Sequence, residues 1–193
     1  NNRVGIGTAS PSQVLDVVGN VEIDGKIDLN DGENSVFVGT GAGLLTTGIR
    51  NVGIGYRALY LNTTGNYNTS IGYSSLNSNT EGFANNALGY AAMNRNTTGD
   101  YNNATGMYAL FNNETGNYNV VNGYEAGRYY GGSISNLATK IDNSILIGVD
   151  ARPQLDSQTN QIVIGYGGRG LGSNTAVIGN SSIVTTRLQG NVG

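Results

Sequence analysis

Few side chains in this sequence are suited to catalysis. The 193 residues include no Cys and no His, which excludes thiol chemistry, disulfides and imidazole acid–base catalysis and leaves zinc without its usual ligands. The remaining candidates are Glu81, Asp100 and Glu114, because carboxylates about 5 to 9.5 Å apart can cleave polysaccharides. The three occupy different positions of the sequence repeat described below, so we interpret them as solvated turn charges. We expect no enzymatic activity, with a polysaccharide depolymerase as the enzymatic alternative.

Glycine-rich and acidic segments resemble ligand-binding loops superficially. "GIGTAS" at Gly5 and "GTGAG" at Gly39 are not followed by the Gly-Lys-Ser/Thr that a phosphate-binding loop requires. "DLNDGEN", residues 28–34, places carboxylates near a glycine, but its spacing fails the calcium-loop pattern. We therefore expect ordinary turns in these segments, with no metal site and no cofactor.

Tyrosines carry the best indication of a binding function. Tyr67, Tyr101 and Tyr118 share one repeat position beside Asn, whereas Tyr129 and Tyr130 lie outside the regular pattern. Aromatic rings can pack on sugars while Asn amides donate and accept hydrogen bonds, so these five residues are candidates for contact with a host cell-surface glycan or protein receptor. A second, more regular series is interpreted as a structural ladder: Tyr56, Tyr73, Tyr90 and Tyr124.

Composition restricts the possible partners. The net charge is −3 and the ten basic residues are scattered, so no cluster could neutralise several phosphates and we expect no nucleic acid partner. No apolar run approaches the roughly 18 residues of a membrane helix, so we expect no membrane insertion. Hydrophobic residues make up 38% of the chain, charged residues 12%, and there are 31 glycines. This composition favours an ordered chain without a large conventional core.

A 17-residue unit recurs along the chain. Three series keep this interval: Gly48, Gly65, Gly82, Gly99, Gly116; Gly55, Gly72, Gly89, Gly106, Gly123; and Asn51, Asn68, Asn85, Asn102, Asn119. The period is too short for helix-pair repeats, and two glycines per unit would each cost a helix about 1 kcal/mol. We therefore predict an all-β fold, a parallel β-solenoid in which each unit is one coil with two short extended pieces. Coils stacked about 4.8 Å apart would align equal positions into ladders.

The apolar positions of each unit predict a thin core. We expect three sets to point inward: a small set at Ala58, Ser75, Ala92, Ala109 and Ala126; a large set at Leu59, Leu76, Met93 and Leu110; and the strand residues Ile54, Ile71 and Leu88. A 17-residue coil encloses little, so one chain alone would leave an apolar stripe in water. The simplest cover is further copies of the chain, and we expect a homotrimer as the folding unit. We expect the regular stack to end near Gly131 and Gly132.

The repeat units resemble a known family. "NSVFVGTGAG", "NTSIGYSSL" and "NTAVIGNSS" are similar to the Asn-x-x-x-Ile-Gly repeats in the head regions of trimeric adhesins. This resemblance implies a left-handed parallel β-roll in which three chains share the fold.

The flanking segments point to fibres more narrowly. "RVGIGTASPSQVLDVVGNVEIDG", residues 3–25, resembles a segment common in bacteriophage tail fibres, and residues 160–193 resemble the stretch that leads into a C-terminal intramolecular chaperone. The resemblance implies a structural and receptor-binding segment of a trimeric tail fibre on the virion, with a bacterial surface adhesin as the alternative. The expected division is a fibre-linker motif (1–33), the repeat β-roll (34–133) and a β segment leading toward a chaperone domain (134–193). A threonine series keeps ice binding as a further alternative: Thr63, Thr80 and Thr97.

Overall fold

Short β-strands joined by turns make up the fold. The computed structural model describes Val4–Ile6, 8–10, Leu15–Val17 and 34–183. Two strands, β1 (Val4–Ile6) and β2 (Leu15–Val17), form a parallel pair. The other strands are β3 (Val36–Val38), β4 (Val52–Ile54), β5 (Thr69–Ile71), β6 (Asn86–Leu88), β7 (Asn103–Thr105), β8 (Val120–Asn122), β9 (Ile145–Ile147), β10 (Gln161–Ile164) and β11 (Thr175–Ile178). In this described part of the chain, no helix is long and apolar enough to cross a membrane.

Strands β3 to β11 form one parallel sheet in sequence order, each strand paired with the next along the chain. From β4 to β8 the register advances by one 17-residue unit per strand, as in the pairing of Val52 with Thr69 and of Thr69 with Asn86. Nine strands in this order give eight coil-to-coil steps. The predicted all-β parallel solenoid with its 17-residue repeat is therefore confirmed, whereas its handedness and the trimer stay predictions.

Each coil contains one strand rather than the two extended pieces that the sequence predicted. The second piece was expected around Thr-Gly-Asn-Tyr-Asn, but the chain forms turns and bends there. The cause is a left-handed residue at its centre: φ is +59° at Tyr67, +54° at Tyr101 and +58° at Tyr118. A residue in this region interrupts an extended run, because strands require φ near −120°.

The core is a narrow column of small and medium side chains that runs along the solenoid axis. Leu59, Leu76, Met93 and Leu110 are completely buried, together with the adjacent small residues Ala58, Ser75, Ala92, Ala109 and Ala126. The prediction was wrong for the strand residues: Ile54, Ile71 and Leu88 are 38%, 36% and 44% exposed. Alternation along a strand sends its first and third residues to the same side, so the middle residue points inward. That middle residue is Gly53, Ser70, Ala87, Ala104 or Val121.

The two glycine series mark places where successive coils touch through their backbones. A Cβ on Gly89, whose φ is +139°, would lie 2.6 Å from the carbonyl oxygen of Gly106 in the next coil. A Cβ on Gly82 would lie 2.6 Å from the carbonyl oxygen of Gly99. Any side chain at these positions would push the coils apart, so the glycines are set by stacking rather than by flexibility.

One step of the stack is longer than the others. Val120 of β8 pairs with Ile145 of β9 in a 25-residue step, and the extra chain folds back through an antiparallel bridge between Tyr129 and Leu137. The regular 17-residue register is interrupted at this step, which contains Gly131 and Gly132, as expected, but the sheet itself continues because β8 pairs directly with β9. The predicted domain limits stay a prediction. Ile141 fills the core beside Gly127, which stands at the position of Leu in earlier coils.

Truncation of one core leucine to alanine tests how much this thin core stabilises the fold. We expect Leu76→Ala to lower the free energy of unfolding by about 2–5 kcal/mol, because the neighbouring coils are fixed by backbone contacts and cannot collapse into the cavity. The matched control is Leu45→Ala, at an exposed leucine, which should change it by less than about 0.5 kcal/mol. Urea denaturation followed by circular dichroism measures both, and equal effects of the two variants would contradict the assignment of the core.

Candidate functional site

A buried ladder of asparagines joins the coils at the position just before each strand. The backbone N–H of Asn68 donates to Asn51 Oδ1 at 2.9 Å, and that of Asn85 donates to Asn68 Oδ1 at 2.9 Å. From Asn51 to Asn102, the side-chain amides also donate to a glycine carbonyl of the following coil, as from Asn85 to Gly99 at 2.7 Å, whereas the Asn119 amide donates to the Ile141 carbonyl. The sequence marked this series as a repeat but did not reveal its role. The feature that could have revealed this role is the recurrence of an amide residue at the same position of every unit. A buried side chain of this kind must have its hydrogen-bonding groups satisfied.

A second buried ladder lies beside the first, and amides of both ladders donate to the same glycine carbonyl, as those of Asn85 and Asn96 do to Gly99. The Asn79 amide donates to Asn62 Oδ1 and the Asn96 amide donates to Asn79 Oδ1, both at 2.7 Å. Asn113 continues the series and accepts from the backbone N–H of Ile141 at 2.8 Å. The ladder is incomplete at one point, since Asn96 Oδ1 is buried without a hydrogen-bond partner. These amides occupy the interior, so they cannot contact a receptor.

Two surface rows of aromatic residues run along the stack, one on each side of the strand. The first, the strand-exit row, follows the strands and consists of Tyr56, Tyr73, Tyr90, Met107 and Tyr124. Tyr56 stacks on Tyr73 with ring centroids 4.9 Å apart, and Tyr73 stacks on Tyr90 at 5.1 Å with an interplanar angle of 5°. The rings are partly exposed, yet each internal face is covered by the neighbouring ring. This row therefore offers ring edges and hydroxyls rather than faces.

The second row, the strand-entry row, precedes the strands and consists of Tyr67, Phe83, Tyr101 and Tyr118. Tyr67, Tyr101 and Tyr118 are 43%, 49% and 58% exposed. Each of the three also adopts the left-handed conformation noted above, which costs a non-glycine residue about 1–2 kcal/mol. Burial offsets such a cost at Leu59 and Leu76, which are also left-handed, but it offsets little of the cost at these exposed tyrosines.

The two irregular tyrosines are placed differently from the regular ones. Tyr129 is 8% exposed, and the guanidinium groups of Arg128 and Arg152 both lie 5.0 Å from its ring centroid. Its ring has no open face for a sugar, so we do not include it in a contact surface. Tyr130 is half-buried and packs against the core. Of the five candidate binding residues, the structure brings together Tyr67, Tyr101 and Tyr118.

An ionic network holds the long turn against the stack. Asp150 pairs with Arg152 at 2.5 Å and with Arg169 at 3.0 Å. Arg152 also donates to the Ser133 carbonyl at 3.0 Å, which ties the extra residues to the coil below. No sequence pattern pointed to this network, because its members come together through the 25-residue step.

The polar side chains considered for other functions lie apart from one another. Asp100 accepts a hydrogen bond from the backbone N–H of Phe83 at 2.7 Å, whereas Glu81 and Glu114 are exposed on turns at two other coil positions. In the threonine series, the Thr63 hydroxyl donates to the Thr80 carbonyl at 2.9 Å and the Thr80 hydroxyl to the Thr97 carbonyl at 3.1 Å. The threonine protons are therefore used between coils. Within the described residues, no three Asp or Glu side chains form a group that could hold a metal ion.

The asparagine ladder can be tested with two neighbouring residues. We expect Asn85→Ala to destabilise the protein, because it leaves the Asn102 N–H without its partner and removes one of the two donors to the Gly99 carbonyl, at about 1–3 kcal/mol for the unpaired buried group. The control is Asn86→Ala, one residue along, whose side chain is exposed. Urea midpoints measure the difference, and a similar loss in both variants would contradict a specific role of the buried amide.

The strand-exit row predicts unusual tyrosine titration. The pKa of Tyr90 is raised above its ordinary value of 10.0, chiefly because its ionised form would lie beside Tyr108. The Glu125 carboxylate raises the pKa of Tyr124 in the same direction. The phenols of Tyr90 and Tyr124 therefore ionise at a lower pH in the unfolded chain than in the folded one. The folded state keeps its full stability below pH 10 and loses stability as the pH rises through the raised pKa values of the two tyrosines. We expect stability to fall in this alkaline range.

Absorbance of the phenolate measures this titration directly. Tyr108→Phe removes the main cause at Tyr90 and should shift one late-titrating phenol to lower pH. Tyr166→Phe, at an exposed tyrosine outside this cluster, removes one phenol and should leave the late phase in place. An unchanged late phase in Tyr108→Phe would contradict the assignment.

Comparisons with known proteins identify no relative of this chain. No family model, no curated protein and no solved structure matches the chain. The likeness to tail fibres and trimeric adhesins therefore stays a prediction based on the sequence motifs. The candidate site is defined by its own features: two aromatic rows, one on each side of the strands, with a buried ladder asparagine directly after each tyrosine of the strand-entry row.

Proposed function

We propose that this chain is a structural and receptor-binding segment of a homotrimeric fibre, of the kind found in bacteriophage tails, which attaches the virion to a host cell-surface glycan or protein. The observation that carries the proposal is an apolar row on the outer face of the sheet. Its exposed members, the sheet row, are Val38, Ile54, Ile71, Leu88, Ile147 and Ile178. The strand-exit row runs along its border.

The length of the sheet row favours other copies of the same chain as its cover. The row is apolar from Val38 to Leu88 and again from Ile147 to Ile178, with Thr105 and Asn122 between the two parts, and exposed apolar surface of this kind usually marks an interaction site. A partner that follows the row through successive coils must repeat at the same spacing, and a second copy in register does so by construction. Closed rotational symmetry would then cover the row on every copy without leaving an open end to the assembly.

A trimeric adhesin on a bacterial surface is the second candidate, because it would use the same interface and the same coils. The sequence motifs at residues 3–25 favour the phage fibre, since that segment resembles tail fibres. No catalytic step is part of the proposal: the carboxylates Glu81, Asp100 and Glu114 lie at three different coil positions, which does not support a catalytic pair.

Light scattering tests the assembly. We expect a mass near three times 20.1 kDa that persists on dilution to micromolar concentration. Ile71→Asp should lower this mass while circular dichroism retains the β signal, because Ile71 points outward and the charge does not enter the core. Thr98→Asp, at an exposed threonine on the turn before the strand-entry row, is the control and should keep the full mass.

Two outcomes count against the proposal. A folded wild-type monomer at micromolar concentration contradicts the trimer, and with it the fibre role. A trimer that Ile71→Asp leaves unchanged places the interface elsewhere than the sheet row.

A further inference from the structure

The strand-entry row carries tyrosines where the backbone favours another residue. Coils further along the stack have Asn143, Asn160 and Asn174 at the position of Tyr67, Tyr101 and Tyr118, with φ of +50°, +54° and +62°. Asparagine tolerates this left-handed conformation better than other side chains apart from glycine. In the described coils this position holds Asn four times (Asn34, Asn143, Asn160 and Asn174), tyrosine three times with half-exposed rings, and Arg50 and Ala84 once each. Neither the backbone nor burial accounts for the tyrosines, and such strain at an exposed position points to a role in binding.

In one coil, the aromatic ring of the strand-entry row comes from a residue at a different position. Ala84 holds the left-handed position there, with φ of +52°, and the ring comes from Phe83, one residue earlier in the chain. Phe83 lies between the rings of Tyr67 and Tyr101. The aromatic row is therefore continuous through four successive coils.

The rings of this row are arranged differently from those of the strand-exit row. Tyr67 and Phe83, and then Phe83 and Tyr101, meet edge to face at 61°, with centroids 5.1 and 5.3 Å apart. Tyr101 and Tyr118 are parallel at 5.1 Å. In the described part of the chain, no aromatic ring covers the far face of Tyr118, because the next coil has Asn143 there. The row therefore combines ring faces, ring edges and phenol hydroxyls at a nearly constant spacing along the axis.

Because the rings of the strand-entry row lie at a nearly constant spacing, the row best matches a ligand that repeats at a similar spacing. A linear sugar polymer laid along the axis would present one similar unit to each coil, and pyranose rings are comparable in size to the step between coils. Sugars have apolar C–H faces, which pack on aromatic rings, and hydroxyl edges, which bond to phenols. A folded protein surface has no such repeat and would match the row at one or two coils only.

Charges near the row exclude anionic polymers. Asp100 directly precedes Tyr101, Asp142 precedes Asn143 on the next coil, and Glu81 and Glu114 are exposed on the turns that lead into the row. Lys140 compensates in part, 3.6 Å from Asp142, and Arg50, which holds the left-handed position one coil before Tyr67, contacts the Tyr67 ring. The surroundings are therefore mainly acidic, and a uronic acid or phosphate polymer would be repelled along its length.

We propose that the strand-entry row binds a linear, electrically neutral glycan lying parallel to the solenoid axis. The inference rests on the proposed function in that it names the receptor class of the fibre. It assigns the site to Tyr67, Tyr101 and Tyr118 and leaves the sheet row for assembly. Repeated contacts along one strand of sugar would add avidity without any single deep pocket.

The test replaces tyrosine by the residue that the fold itself uses elsewhere. The double variant Tyr101→Asn with Tyr118→Asn should fold with an equal or higher unfolding temperature, because Asn suits the left-handed conformation. Its affinity for a neutral polymer should fall by about tenfold or more. The matched control is Tyr60→Asn, outside the row, where the next two coils already carry Asn77 and Asn94. This control should bind as the wild type does.

The probe is a glycan array with linear neutral hexose polymers and matched polymers that contain uronic acid. The wild-type chain of 193 residues should bind at least one neutral polymer and bind its anionic counterpart less. Asn143→Tyr extends the row by one coil and should raise affinity for long polymers but not for short oligosaccharides. Light scattering on the same samples separates the two proposals. If the chain is a monomer that still binds glycan, the proposed fibre role is wrong and the proposed glycan site stands.

Several results would overturn the inference. These are the absence of binding to any neutral polymer, preference for the anionic polymers, or unchanged binding by the double variant. A lower unfolding temperature in the double variant would show that the tyrosines stabilise the stack, and a smaller mass would show that they belong to the assembly interface. If assembly is intact and the wild type binds only a protein receptor, the fibre role stands and the glycan site does not.

Discussion

Hydrogen bonding from coil to coil is the interaction on which the structure depends. Each coil is too small to bury much apolar surface, so its order comes from contacts with the coils above and below. The strand supplies one set of these bonds, backbone groups in the turns supply another, as from the Leu76 N–H to the Ala92 carbonyl, and the two asparagine ladders add a third. Coils must approach closely for the ladders to form, and Gly82 and Gly89 leave no room for a Cβ between neighbouring backbones. In the 17-residue coils that begin at β4 to β7, one larger apolar side chain fits inside, as at Leu76.

Stacking in register also determines what the surface can do. Every outward position becomes a straight row, so a single residue type in the repeat becomes a continuous surface feature. The sheet row, the strand-exit row and the strand-entry row are three such features, and they differ in chemistry and in the state of their backbone. The rows suit long partners, such as another copy of the chain or a polymer, and each adds small contributions that accumulate with the number of coils.

The class of fold could be predicted from the sequence alone. A 17-residue period with two fixed glycines and a fixed asparagine per unit is incompatible with helices, and the interior position of Leu59, Leu76, Met93 and Leu110 followed from their recurrence. The period also predicted that Tyr67, Tyr101 and Tyr118 lie together, because equal positions must align in any stack.

Tertiary structure decided which way the remaining side chains point and which positions are strained. Ile54, Ile71 and Leu88 were expected inside, but a three-residue strand has only one inward position, and the narrow interior reserves it for residues such as Gly53 and Ala87. The period cannot show this, because inward and outward positions repeat equally well. Likewise, Tyr129 looks like a free aromatic in the sequence and is enclosed by Arg128 and Arg152, since the 25-residue step brings distant residues together. Side-chain direction and long-range closure depend on backbone geometry, which a repeat pattern records only indirectly.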